Sequence, residues 1–390
     1  MAAHVSPSPG GEGRGEGGRL GSLRFYERAR PRREVRSPEP GARVAPVKQQ
    51  QAGPVQGTRA PVVDAHTHIF CWGEKPAEGF LSQQTKRSWL TRLLLRFTGI
   101  TREKGDTLSD KLRNRLLREL EQSRLDFAIV LAQDAVYRPD GSRNDAETHF
   151  FVSNDHVLDL AKRSPKILPG CSINPIRADA LKELERCHAA GSRLIKIHTA
   201  IQGVDPGRAE FDPFYALARQ LGVVLMFHTG YEHSCQVISQ QFTDPRRLER
   251  PLSHGLSVVA AHCGTCAFFD PEDYYPHFVT MMDRHENLYG DTAILASLIR
   301  WSALNRLSRE PAPIRQRIVH GSDYPLPPAR APYLFRTGLF PVERSNPLDL
   351  DLRIKRAFRI GDSYESRILS LLNLNALGKA SRESQPISSI

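Results

Sequence analysis

Val62-Val63-Asp64-Ala65-His66-Thr67-His68 is a β-branched run that ends in two histidines two residues apart. In an extended chain alternate residues share a face, so His66 and His68 leave the end of one strand side by side, placed to ligate one metal ion. The same kind of ending recurs downstream. Leu225-Met226-Phe227-His228-Thr229-Gly230, Ala260-Ala261-His262-Cys263-Gly264 and His320-Gly321-Ser322-Asp323-Tyr324-Pro325 each carry His or Asp just past a short apolar run. One histidine behind a strand is ordinarily a cap or a packed core residue. Five such groups at matching strand ends point to a metal centre. Imidazole with carboxylate suits zinc and also accommodates iron or manganese.

Eight runs of this type mark the chain: Val62–His66, Ala128–Ala132, Ile167–Ile173, Leu194–Ile197, Val223–Phe227, Ser257–Ala261, Asn287–Gly290 and Arg317–His320. From the second run onward their centres are 27 to 40 residues apart, the length of one strand–helix unit. Eight such units predict a (β/α)₈ TIM barrel. The His and Asp groups at the strand C-termini, where that barrel carries its chemistry, select it over a doubly wound sheet. The first step, 66 residues, predicts a helical insertion over residues 71–126, leaving the barrel at the catalytic mouth. Trp89, Leu90, Leu93, Leu94 and Phe97 recur there at helical spacing beside Arg92 and Arg96, and leucines repeat over Leu112–Leu120. Such a segment either packs on the barrel rim or a second subunit, or serves as a partial lid. A lid would supply Trp72, Lys75 or an arginine to an acidic substrate.

The 390 residues are 40% hydrophobic and 25% charged, the balance of a soluble globular protein. No apolar run reaches the ~18 residues of a membrane span. The net charge of +11 is uneven: residues 1–60 hold 11 Lys/Arg against 5 Asp/Glu, with 10 Gly and 7 Pro. That composition predicts a disordered basic extension ahead of a barrel over residues 61–380. Only +5 remains for the other 330 residues, so neither a nucleic acid nor a membrane is an expected partner; a small molecule is, and a homo-oligomer is compatible. Arg32-Arg33 is followed by no apolar segment, and six cysteines make no disulfide scaffold, so the reading is cytoplasmic. Cys263 and Cys266 form a lone C-x-x-C pair, by default two reduced thiols.

Together the motifs resemble the amidohydrolase superfamily, and more closely the amidohydrolase-related branch that includes the aminocarboxymuconate-semialdehyde decarboxylase group. The resemblance spans residues 62 to about 378. It rests on Val63–His68, Ile195-Lys196-Ile197-His198, Phe227–Gly230, Ala261–Gly264 and Gly321–Pro325. It implies a metal held by His66, His68, His228 and Asp323, and it assigns His262 to a second metal or to catalysis. In some members the lysine matching Lys196 is carbamylated and bridges two metals, so Lys196 and His262 would join a binuclear site. The expectation is one divalent ion per chain, most simply Zn²⁺. Lys196 otherwise pairs with Asp323 or a substrate carboxylate, and His198 contacts substrate or fills the mouth. Asp291 reads as an acceptor behind a ligand histidine or as a helix cap. By strand parity His320 faces the helix layer.

The expected function is a metal-dependent hydrolase that uses activated water on an amide, lactone or ester of a small acidic substrate. Asp323 would take the water's proton and return it to the leaving group, while His262 polarises the scissile carbonyl. The alternative keeps the metal and decarboxylates an unsaturated or aromatic acid without oxidation. A third reading, a silent barrel that binds a partner through its tail, is opposed by the retention of every expected ligand type.

Overall fold

Eight parallel strands succeed one another in chain order around a single sheet. They are β1 Val63–His68, β2 Phe127–Leu131, β3 Ile167–Ser172, β4 Leu194–Ile197, β5 Val224–His228, β6 Val258–Ala261, β7 Leu288–Asp291 and β8 Ile318–Val319. This computed structural model describes residues 59–98, 100, 103–337 and 346–377; the extension expected at 1–60 falls, up to residue 58, outside them. Between β8 and β1 the ring is completed by backbone bonds: Ala65 N to His320 O at 2.8 Å, Asp323 N to His66 O at 2.9 Å and His68 N to Tyr324 O at 2.8 Å. The architecture is a (β/α)₈ barrel.

Side-chain parity sorts each strand into two layers. In β4, Ile195 and Ile197 join the apolar layer under the helices, whereas Leu194 belongs to the barrel interior. In β5, Leu225 and Phe227 go outward and Val224 and Met226 inward. Strands buried on both faces tolerate near-continuous apolar sequence, which is why β2 reads Phe-Ala-Ile-Val-Leu with every residue buried. Interior residues such as Ala65, Ile129, Leu131 and Val259 pack with Ile368, Leu369 and Leu372. The polar inward positions, Lys196 and the terminal histidines, lie at the C-terminal ends.

The long β1–β2 connection divides. Helix Leu108–Glu121, started by a Thr107/Asp110 capping box, buries Leu116 and Leu120 against Val62, Ala128 and Val130. It is the helix that any βα unit would place there. The material added to the barrel is the segment before it: a short strand Gly79–Leu81 paired antiparallel with Phe150–Val152, and helices Gln83–Arg87 and Trp89–Thr98. In the last helix Trp89 and Leu93 are exposed, 75% and 38%, while Thr91 and Leu95, four residues apart, line the central cavity. The side chains of Leu90, Leu94 and Phe97 fall outside the described set. Of the apolar stripe expected there, the described members Trp89 and Leu93 thus face solvent, and Thr91 and Leu95 face the cavity. No helix among the described residues is long and apolar enough to cross a membrane.

Candidate metal centre

β1 delivers both of its histidines to one point. His66 Nδ1 lies 2.7 Å from Asp291 Oδ2, which assigns the ring proton to Nδ1 and leaves a lone pair on Nε2. That lone pair faces His68 Nε2 at 3.0 Å and Asp323 Oδ1 at 3.4 Å, and Asp323 Oδ1 is 3.3 Å from His68. Backbone clamps hold the two strands together. Asp64 Oδ1 accepts from both His66 N and Ser322 N at 2.9 Å, and Gly321 leaves no room for a side chain, since a Cβ there would sit 2.8 Å from that of His66. Asp323 itself adopts φ +65°, a strained conformation that the surrounding bonds enforce.

The electrostatics favour acceptors over donors. Burial keeps His66 well below the usual imidazole range, with Lys196 adding to the effect. Burial pushes the Asp323 carboxyl up, but its hydrogen bond with His68 and the charges of His66, His68 and Lys196 outweigh that and hold it at about 2. Asp291 is driven by burial the other way, to about 6, while its second oxygen accepts from His262 N and Ala293 N. Two imidazole nitrogens and a carboxylate oxygen thus converge on one point. His68 Nδ1 and His228 Nε2 are buried without a partner. A divalent cation fits this donor set: His66, His68 and Asp323 form one group of candidate ligands, and His66, His262 and Asp291 a second.

His228 falls in a third group, with His198 and Glu232. The His198 and His228 rings stack at 3.9 Å. Glu232 Oε2 lies 3.0 Å from His198 Nε2 and 3.6 Å from His228 Nε2. Burial raises the Glu232 carboxyl, yet the His198 hydrogen bond and both imidazoles bring it well below the usual carboxylate range. His262 Nδ1 lies 3.2 Å from Ala293 O and its Nε2 3.1 Å from His228 Nδ1. The carbonyl accepts a hydrogen bond from Nδ1–H, so a neutral His262 presents a lone pair at Nε2, and burial holds the ring well below the usual imidazole range. In that state it accepts rather than donates. Lys196 Nζ is 3.4 Å from His66 Nε2; burial lowers its ammonium to about 8 despite the pull of Asp291, Asp323 and Glu232.

These groups open into a cavity of about 180 Å³ whose walls include Phe70, Trp72, Leu95, Phe150 and Leu326. Trp72 is thus at the site. Lys75 is not among the cavity walls: it is exposed and paired with Glu78 at 3.2 Å. His320 is buried edge-on against Tyr364 in the helix layer. Glu232 and Arg300, both at the cavity, escape a reading of sequence. Each lies in a loop past its strand, where side-chain parity no longer predicts direction.

A family model for amidohydrolases matches residues 63–358. The chain belongs to the amidohydrolase family. Among solved structures this amidohydrolase is similar to an uncharacterized TIM-barrel protein of Bordetella bronchiseptica, at 16% identity and a TM-score of 0.54, covering 80% of this chain and 99% of that one. It is also similar to a Pseudomonas putida protein described as a 2-pyrone-4,6-dicarboxylic acid hydrolase, at 13% identity and a TM-score of 0.49, over 81% and 98% of the two chains. A 2,6-dihydroxybenzoate decarboxylase from Rhizobium aligns at 14% identity and a TM-score of 0.44, over 77% and 99%. No curated protein matches significantly.

Proposed function

We propose that this amidohydrolase is a metal-dependent hydrolase, zinc-loaded and cytoplasmic, that cleaves an amide, lactone or ester bond of a small acidic substrate. The observation that carries the reading is the convergence of His66 Nε2, His68 Nε2 and Asp323 Oδ1 at the barrel mouth, with His66 oriented by Asp291. His228, grouped with His198 and Glu232 and with no hydrogen bond at Nε2, would serve as a further ligand. One ion per chain suffices. When bound, the ion supplies Lewis acidity, polarising a substrate oxygen and acidifying water. The six cysteines are all free thiols, which suits a reducing compartment.

The chain's own groups divide the remaining work. Asp323, held ionised, receives the proton of the attacking water and passes it to the leaving group; its low basicity favours the second transfer. Lys196, whose ammonium burial lowers to about 8, donates toward oxygen as charge develops there. His262, as a neutral acceptor, orients His228; steadying an oxyanion would require its imidazolium. His198, fixed by Glu232, and Trp72 border the substrate.

Non-oxidative decarboxylation is the second reading, favoured by the aromatic wall in which Phe70 and Phe150 stack at 4.8 Å. The test is a screen of lactones, amides and carboxylated aromatics with metal content measured alongside. Acid release that disappears on chelation and returns with zinc is expected. Carbon dioxide release from the same substrates would replace the hydrolase reading with the decarboxylase, and turnover indifferent to chelation would remove both.

A further inference from the structure

Helix Trp89–Thr98 has two working faces. Thr91 and Leu95 line the cavity, whereas Trp89, Arg92, Leu93 and Arg96, three or four residues apart, are exposed. Among the described residues neither Arg92 nor Arg96 has an ion-pair partner. From Gly79 to Arg102 the chain carries five Lys/Arg and no Asp/Glu. That run equals the whole +5 of the 330 residues after the extension, so a charge that is dilute over the chain is concentrated beside the cavity.

Apolar exposure is concentrated on the same face. Among the described residues the exposed large apolar side chains, Leu181 apart, all lie on connections that follow the C-terminal end of a barrel strand, the side on which the cavity opens. Phe268, 71% exposed, and Phe269 follow β6; Leu298, 60% exposed, and Trp301, 55%, follow β7. Phe268 N donates to Ile299 O at 3.1 Å, tying the two connections together. The cavity is walled by the helix at Thr91 and Leu95 and by these connections at His233 and Ile299, and the His233 ring meets that of Phe269 at 5.1 Å. Single exposed apolar residues are ordinary on a protein surface; several around one opening, with unpaired cations beside them, mark a docking face.

We infer that the mouth of the barrel docks on an anionic lipid bilayer, with Trp89, Leu93, Phe268, Leu298 and Trp301 entering the headgroup region and Arg92 and Arg96 meeting lipid phosphates. Tryptophan and leucine beside arginine, with no acid near, is the composition of a helix that lies in a membrane interface. The cytoplasmic leaflet supplies the complementary negative charge. A second copy of the chain would cover the apolar groups but not suit the charge, because a two-fold contact through this helix sets Arg92 and Arg96 against an identical acid-free run. A nucleic acid would meet the cations and leave Leu93 and Leu298 in water. The inference is independent of which bond the site breaks.

Sedimentation of the zinc-loaded full chain with phosphatidylcholine vesicles, prepared with and without phosphatidylserine, tests it. Binding at least about tenfold tighter to the anionic vesicles is expected, weakening with salt and accompanied by a blue shift of tryptophan emission. Arg92→Glu/Arg96→Glu should lose about tenfold or more of that affinity. Trp89→Ser and Trp301→Ser should each weaken it several-fold, at the wild-type melting temperature because these side chains are exposed. Arg92→Gln/Arg96→Gln is read in place of the charge reversal if the latter does not fold. Failure to bind either vesicle overturns the proposal. So does affinity that survives in both arginine variants, which places the attraction in the basic extension. Equal affinity for duplex DNA, or a dimer in light scattering that Trp301→Ser dissociates, would give the face to another occupant and overturn it as well.

Discussion

At His66 the two ring nitrogens face opposite ways, Nδ1 to Asp291 at 2.7 Å and Nε2 to His68 and Asp323. Removing the ring by His66→Ala deletes a ligand that no neighbour replaces, and metal should be lost. Asp291→Asn leaves the ligand and releases its orientation, so metal affinity is expected to fall by about 10- to 100-fold with the fold intact; competition against a chelator measures it. Asp323→Asn still offers an oxygen but cannot take up a proton. It should hold more metal than His66→Ala and lose most turnover, and near-full activity would end the proton-transfer role. The rim separates the two remaining substrate candidates. Trp72→Ala should raise KM without changing metal content, whereas Lys75→Ala, exposed and paired with Glu78, should leave both kinetic constants unchanged.

Among the elements, helix Leu108–Glu121 begins at Thr107, whose side chain accepts from Asp110 N at 3.1 Å while Asp110 bonds back to Thr107 N at 3.3 Å. Thr107→Ala is expected to cost about 1 kcal/mol, read as a lower denaturation midpoint at unchanged slope. A second contact ties helices Asp212–Leu221 and Glu249–Ser253. Asp212 accepts from Arg250 Nε at 2.7 Å and lies 2.8 Å from His254 Nε2. The Arg250 hydrogen bond, aided by His254, lowers its carboxyl from 3.8 to about 2. A depressed folded-state value means the contribution is complete above the unfolded value and disappears as pH falls through the folded one. The melting-temperature gap between wild type and Asp212→Asn should therefore be widest near neutrality and close from about pH 4 down to about pH 2. A gap that is constant across that window would show the pair contributes nothing.

For the whole molecule, deletion of residues 1–58 should leave melting temperature and metal content unchanged, since their Gly, Pro and charge content cannot build a core. A fall in either would mean the extension packs on the barrel. The strand–helix alternation and the five groups at strand ends needed only local patterns, because parity and period are properties of the chain itself. Hence the barrel, and the meeting of His66, His68 and Asp323, were legible beforehand. The grouping of His228 with His198 and Glu232, the bond of His262 to Ala293, the outward turn of Trp89 and the burial of Arg300 were not. Each depends on which loops face one another across the mouth and on how much water they exclude. The sequence by itself determined the barrel and the residue types that meet at its mouth, through short-range periodicity; tertiary structure alone decided their partners and charges, because burial and proximity arise only once distant segments pack together.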